Sequence, residues 1–320
     1  MDRLGLSYEV LRIWKPDIIV MTMPAFGLSG PYKTTQAFGI GVEGLCGFTA
    51  VRGYPDDVER LQVPSVVHMD TASGPGAALA LLAALHYRDR TGQGQFIEFA
   101  QSENMLPHLG EFFLDAQMNQ RDARPLGNHH PRMAPHNVYP CAGGGTWVTI
   151  AVADDAEWQR LCEALARPDW AIQERFRTTA GRLQHQDELD QALATWTSQR
   201  TPTEVAHHLQ AHGVTSGLVL SAADAYRDPH LQERGFFARI THPDAGTHDY
   251  PGVLWQMSHT PATIRHPPCC LGEHNAYVYG ELLGYSPEEI EQLTVAGHIG
   301  DTYAAAQLTP TPSETPLSPR

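Results

Sequence analysis

No uninterrupted apolar run in this sequence approaches the roughly 20 residues a membrane helix needs, so no membrane span is expected. An apolar signal core is missing as well: the chain opens on Met1, Asp2 and Arg3, without a hydrophobic region behind them. Basic charge is scarce. Lys and Arg number 22 against 36 Asp and Glu, giving a formal charge of −14. A chain this acidic repels phosphate backbones and anionic lipid, which excludes nucleic acid and membrane surfaces as main partners. An anionic small molecule stays possible, because a local pocket can oppose the global sign. Paired cysteine motifs are absent too. Cys46, Cys141, Cys162, Cys269 and Cys270 are odd in number and show no CxxC spacing, which fits reduced cytoplasmic thiols rather than a disulfide framework or structural zinc.

What is present suffices for a sizeable core: 320 residues with 42% hydrophobic content, one large or two ordinary domains. Residues 6–14 read as a short amphipathic helix. Pro16-Asp17 leads into an almost unbroken apolar run over residues 18–23, the pattern of a buried parallel strand. The turn-rich loop 24–31 follows, at a strand's C-terminal end, where open α/β sheets hold ligands. Residues 71–88 predict a helix, and its Ala/Leu-rich stretch 77–85 predicts burial on most sides. Thr91-Gly92-Gln93-Gly94 turns the chain into a second strand over 95–100. Strand, helix and strand in alternation indicate an α/β domain.

Beyond residue 120 the character changes. Residues 121–137 are rich in His, Pro, Arg and Asn and read as a linker or long loop. Gly143-Gly144-Gly145 sets a turn before a strand over 147–152, and helices dominate afterwards. Thr201-Pro202-Thr203-Glu204 and Ser286-Pro287-Glu288-Glu289 are capping boxes, with Gly213 and Gly297 as the stops. The proline-rich residues 304–320 offer little that could form a core and are expected to have no fixed structure.

Asp70 stands out. It falls where the long helix begins, and unpaired backbone N–H groups and the positive dipole end there stabilise a carboxylate. Two readings stay open on its own chemistry: a helix cap, or a nucleophile approached over the small residues Ala72, Ser73, Gly74 and Gly76 and held rigid by a buried helix. His68 is either an aid to binding an acid substrate or an ordinary histidine. His129, His130 and His136 match no zinc spacing, so no metal is expected. Gly143-Gly144-Gly145 lacks the strand and helix context of a phosphate loop.

The order of motifs resembles the class III CoA-transferases, the group that includes formyl-CoA and carnitine-CoA transferases and the related acyl-CoA racemases. The residues that carry the resemblance start with Phe26-Gly27-Leu28-Ser29-Gly30-Pro31-Tyr32 and Asp70. Leu81-Leu82-Ala83-Ala84-Leu85-His86-Tyr87-Arg88 then runs into Thr91-Gly92-Gln93-Gly94-Gln95. Gly127-Asn128 with Pro131 and Pro135, Asp228-Pro229 with Arg234-Gly235-Phe236-Phe237, and Leu271-Gly272-Glu273-His274-Asn275 continue it. The resemblance implies an α/β fold with a partial Rossmann-like parallel-sheet large domain, a smaller α+β domain and an interlocked homodimer. Residues 1–120 would be the remaining part of the CoA-binding domain and 121–235 the small domain with its linkers. Residues 236–303 would return to the large domain, before the disordered tail 304–320. Relatives carry a further N-terminal half of the nucleotide-binding domain, so the chain is expected to be a truncated product or fragment.

The resemblance further implies that Asp70 attacks the thioester carbonyl of an acyl-CoA and that Gln36, Phe38 and Gln101 line the substrate and CoA pocket. A mixed anhydride and then an aspartyl-CoA thioester would pass CoA to a carboxylic acid, with the thioester as substrate and no further cofactor. Gln101 also reads as an ordinary residue at a helix N-terminus. Two departures narrow the chemistry. The racemase branch places an acid–base His where Phe38 stands, and Phe cannot transfer a proton. Formyl-CoA transferases have Lys and Tyr near Gln36 and Phe38 and a glycine-rich loop where this chain reads His129-His130-Pro131-Arg132-Met133, which speaks against oxalate. The alternatives are an acyl-CoA racemase or epimerase, and a truncated non-catalytic chain of the same family.

Overall fold

In the computed structural model, which describes residues 1–57 and 67–302, the apolar run at 18–23 yields the strand Val20–Thr22 (β1). It pairs in parallel with Phe96–Glu98 (β2), Val20 opposite Phe96 and Thr22 opposite Glu98. A parallel pair needs a long crossover, and the chain between the strands supplies one that includes the helix His68–Thr91. Both strands are shorter and less buried than the sequence predicts. Among the described residues each has only the other as a sheet partner.

The long helix ends where expected: Gly92 takes the left-handed conformation and its N–H bonds to the Arg88 carbonyl, a stop that glycine adopts without a Cβ penalty. Its expected burial on most sides does not hold. Met69, Ser73, Ala77 and Ala84 form one narrow buried stripe, while Leu79 and Leu82 are 71% and 64% exposed. Small residues set this stripe because a neighbour packs closely there: a Cβ on Gly76 would come within 2.9 Å of Asn104 Oδ1 and of the Phe99 ring. Gly76 thus packs closely against Asn104 and Phe99, and Ser73 is buried.

The denser core lies further along. His136–Pro140 (β3), Trp147–Ala151 (β4) and Thr215–Val219 (β5) form an antiparallel sheet in the order β3-β4-β5. Gly143, Gly144 and Gly145 all have positive φ in the turn between β3 and β4, a conformation side chains resist. Val148 and Ile150 alternate inward along β4, as a half-buried strand requires. They meet Trp158 and Leu161 of the helix Asp155–Ala164, Leu189 and Leu193 of Gln186–Thr197, and Val205 and Leu209 of Pro202–Ala211. The Thr201 capping box is formed as the sequence predicts.

The described chain divides once, into Met1–Val219 and Leu220–Arg320. The second unit holds an antiparallel hairpin, Phe237–His242 (β6) with Gly246–Pro251 (β7), and the helix Pro287–Val295 behind its Ser286 capping box. The expected structureless tail 304–320 and residues 64–66 before the long helix lie outside the described residues. The fold class is therefore mixed α/β, with one parallel and two antiparallel sheets among the described residues.

Candidate active site

Three helix segments and one loop meet around a small apolar cluster. Val42 and Cys46 come from the helix Gly39–Leu45 and its C-cap, Met69 from the start of the long helix, and Met105 from Gln101–Met105. Ala25 and Phe26 of the loop after β1, with Ala37, Phe48 and Val67, pack against them. Asp70 emerges at the edge of this cluster as the third residue of its helix, exposed to solvent.

Asp70 is not the helix cap. The cap position is Val67, extended and without a side-chain hydrogen bond. The exposed first-turn N–H groups of a helix still need acceptors, and one comes from a distance: the Met69 N–H donates to Glu43 Oε1 at 3.1 Å. Glu43 is 1% exposed, and its Oε2 accepts from Arg52 Nη1 at 3.3 Å. The Arg52 guanidinium in turn lies 4.2 Å over the Phe48 ring. A buried carboxylate is tolerable only when paired in this way. Of the two readings of Asp70, capping is the one this geometry removes. The helix dipole still favours its negative charge in the first turn.

Gly39 borders the carboxylate. A Cβ there would stand 2.6 Å from Asp70 Oδ2 and 3.0 Å from its Cγ, so only glycine leaves the acid its present place. Phe38 caps the same short helix with an extended backbone and is 92% exposed. Gln36 lies exposed two residues earlier. Gln101 occupies the first position of its helix, and its side-chain amide donates to the Met23 carbonyl at 3.2 Å. Its N–H and that of Ser102 donate to the carbonyls of Pro24 and Ala25. Glu98 Oε1 completes the anchorage by accepting the Leu28 N–H at 2.5 Å. The loop over 24–31 is thus tied down by β2 and the helix behind it.

Glu43, Arg52 and Gly39 escape the sequence reading. The one available signal is a lone carboxylate in the otherwise small and apolar stretch Gly39–Leu45, with an arginine nine residues on. His68 stacks on Phe48, ring centroids 5.4 Å apart, and meets His108 edge-on. The other histidines have separate partners: His129 Nε2 lies 2.8 Å from Asp190 Oδ2, His136 Nδ1 lies 2.7 Å from the Asn128 carbonyl, and His130 Nδ1 accepts the Arg132 N–H. In the second unit His242, Asp244 and Cys270 converge. There His242 Nδ1 accepts the N–H groups of Asp244 and Ala245, and its Nε2 faces Cys270 Sγ at 3.8 Å.

Comparison with known proteins identifies the family of the chain. The model of CoA-transferase family III matches residues 1–275, and the chain belongs to that family. It is 31% identical to the succinyl-CoA–D-citramalate CoA-transferase of Chloroflexus aurantiacus, across 92% of this chain and 72% of the relative. It is also 31% identical to the succinate–glutarate CoA-transferase of Agrobacterium fabrum, across 88% and 70%. A crystal structure of a CAIB/BAIF family protein from Brucella suis superposes with a TM-score of 0.78 at 26% identity, covering 88% of this chain and 72% of that one. No helix among the described residues is long and apolar enough to cross a membrane.

Proposed function

We propose that this chain transfers coenzyme A from an acyl thioester to a carboxylic acid, with Asp70 as the covalent nucleophile. The observation that carries the proposal is the division of labour at the helix start: Glu43 accepts the first-turn N–H, and the exposed Asp70 carboxylate lies against a residue without a side chain. A carboxylate oxygen of Asp70 attacks the thioester carbonyl carbon, the carbon–sulfur bond breaks, and the CoA thiolate leaves a mixed anhydride. The thiolate then attacks the aspartyl carbonyl and expels the donor acid, giving an aspartyl-CoA thioester. The acceptor carboxylate reverses both steps. A carboxylate suits this because it both attacks a thioester and leaves from an anhydride. The reaction needs no further cofactor.

The relatives named for succinyl-CoA with citramalate and for succinate with glutarate support a dicarboxylic acid as donor or acceptor. Phe38 supports transfer over racemisation, since nothing at that position can carry a proton. The exposed leucines of the long helix support the family's interlocked homodimer, and the parallel β1–β2 pair supports a Rossmann-like large domain, with 1–120, 121–235 and 236–303 as its parts and the small domain. The test is to incubate the full chain with succinyl-CoA and hydroxylamine and to map the product. A hydroxamate on Asp70 is expected. No modification there, together with full activity in Asp70→Ala, overturns the proposal.

A further inference from the structure

Glu43 and Gly39 lie four residues apart on one short helix, hence on the same face, and that face meets the start of the helix that carries Asp70. Gly39 walls the Asp70 carboxylate. Glu43 holds the N–H of Met69, the residue immediately before it. The Glu43 carboxylate is buried, and its second oxygen is committed to Arg52, so it is held from two sides and has little freedom to leave the Met69 N–H. We infer that Glu43 is a positioning residue for Asp70: by anchoring the first turn from outside, it fixes where the nucleophile stands and frees its carboxylate from capping. The inference rests on Asp70 being the nucleophile.

The chemistry explains why an external anchor is useful. A helix start without its own cap frays, and a nucleophile on a fraying turn spends less time at attack geometry, where displacements of about 1 Å cost on the order of 100-fold in rate. A cap supplied by Asp70 itself would solve the first problem by occupying the attacking oxygen. Supplying the acceptor from Glu43, 26 residues away in sequence, separates the two tasks.

The experiment uses the full chain, succinyl-CoA and hydroxylamine, and reads the rate of hydroxamate formation at Asp70 by mass spectrometry beside steady-state kcat and KM. Glu43→Ala is expected to lower the adduct rate and kcat together by about 10- to 100-fold, with KM for succinyl-CoA within about twofold. Glu43→Gln keeps an oxygen for the Met69 N–H and is expected to recover most of the loss, to within about fivefold of the natural chain. If Glu43→Ala fails to fold, Glu43→Asp is read in its place, because its carboxylate falls one methylene short; the same loss is expected. A folded Ala or Asp variant with the natural adduct rate overturns the inference, as does a Gln variant that loses as much as Ala. Those outcomes leave Asp70 standing as the nucleophile. A natural chain that forms no adduct at Asp70 removes the nucleophile reading itself and this inference with it.

Discussion

Asp70 Oδ2 occupies the space in which a Cβ on Gly39 would stand, 2.6 Å from it. Gly39→Ala is therefore expected to displace the carboxylate or the Val67 side chain, whose Cγ1 would also stand 2.6 Å away. Alanine favours a helix over glycine by up to about 1 kcal/mol, so stability should hold or rise slightly. Adduct formation at Asp70 should fall by about 10-fold or more. The pair of measurements, urea unfolding and hydroxamate rate, separates a local displacement from a general loss of fold.

Local signals in the sequence translate well into structure. Thr201 and Ser286 cap their helices as written, because a capping box needs only four consecutive residues. Gly92 stops the long helix for the same local reason. Burial is different. Leu79 and Leu82 belong to a stretch whose composition predicts a buried helix, yet they face solvent, since hydrophobicity records a preference and says nothing of how many partners exist. The site divides in the same way. Asp70 is legible as a residue at a helix start, and its freedom from capping is not. That freedom depends on Glu43, which accepts the Met69 N–H while paired with Arg52, contacts that span a tertiary distance no local pattern encodes.

The antiparallel sheet region should owe much of its stability to Arg182. Its side chain is 0% exposed and donates to the carbonyls of Ala134 and Phe176 and to Thr179 Oγ1, while pairing with Asp155 at 2.9 Å. Arg182→Met leaves those acceptors unpaired and is expected to cost about 3–5 kcal/mol in urea unfolding. The Asp155 end predicts a pH dependence. Partial burial acts to raise its carboxyl pKa, but hydrogen bonds from Arg182 and Thr179 outweigh it and hold the group below the usual carboxylate range. A lowered folded pKa stabilises above the unfolded value and loses that contribution as pH falls through the folded one. Stability should thus decline on acidification below about pH 4, and less steeply in Asp155→Asn.

Asp190 gathers three donors or partners: Tyr139 Oη at 2.5 Å, Asn137 Nδ2 at 2.7 Å and His129 Nε2 at 2.8 Å. Burial, reinforced by the Asp190 charge, pushes the Tyr139 phenol far above its ordinary range. Tyr139 should remain neutral while exposed tyrosines ionise in an alkaline titration followed by ultraviolet absorbance. Tyr139→Phe is expected to cost about 1–2 kcal/mol, the value of one buried hydrogen bond to a charged group, with Asp190 keeping its other partners.

The cysteines should differ sharply in reactivity. Burial pushes the Cys162 thiol up to about 12 and raises Cys46 and Cys141 as well, so these three are protonated at pH 8 and shielded from reagent. Cys270 is raised chiefly by its hydrogen bond to the Asp244 carboxylate. Cys269 is exposed. Titrating the native chain with a disulfide reagent at pH 8 should give a fast phase of about one thiol, lost in Cys269→Ser, and then a slow phase set by opening of the fold. In denaturant all five cysteines should react at once. Labelling of Cys162 as fast as Cys269 in the native chain would contradict the packing of Trp158, Leu161 and Cys162 against the antiparallel sheet.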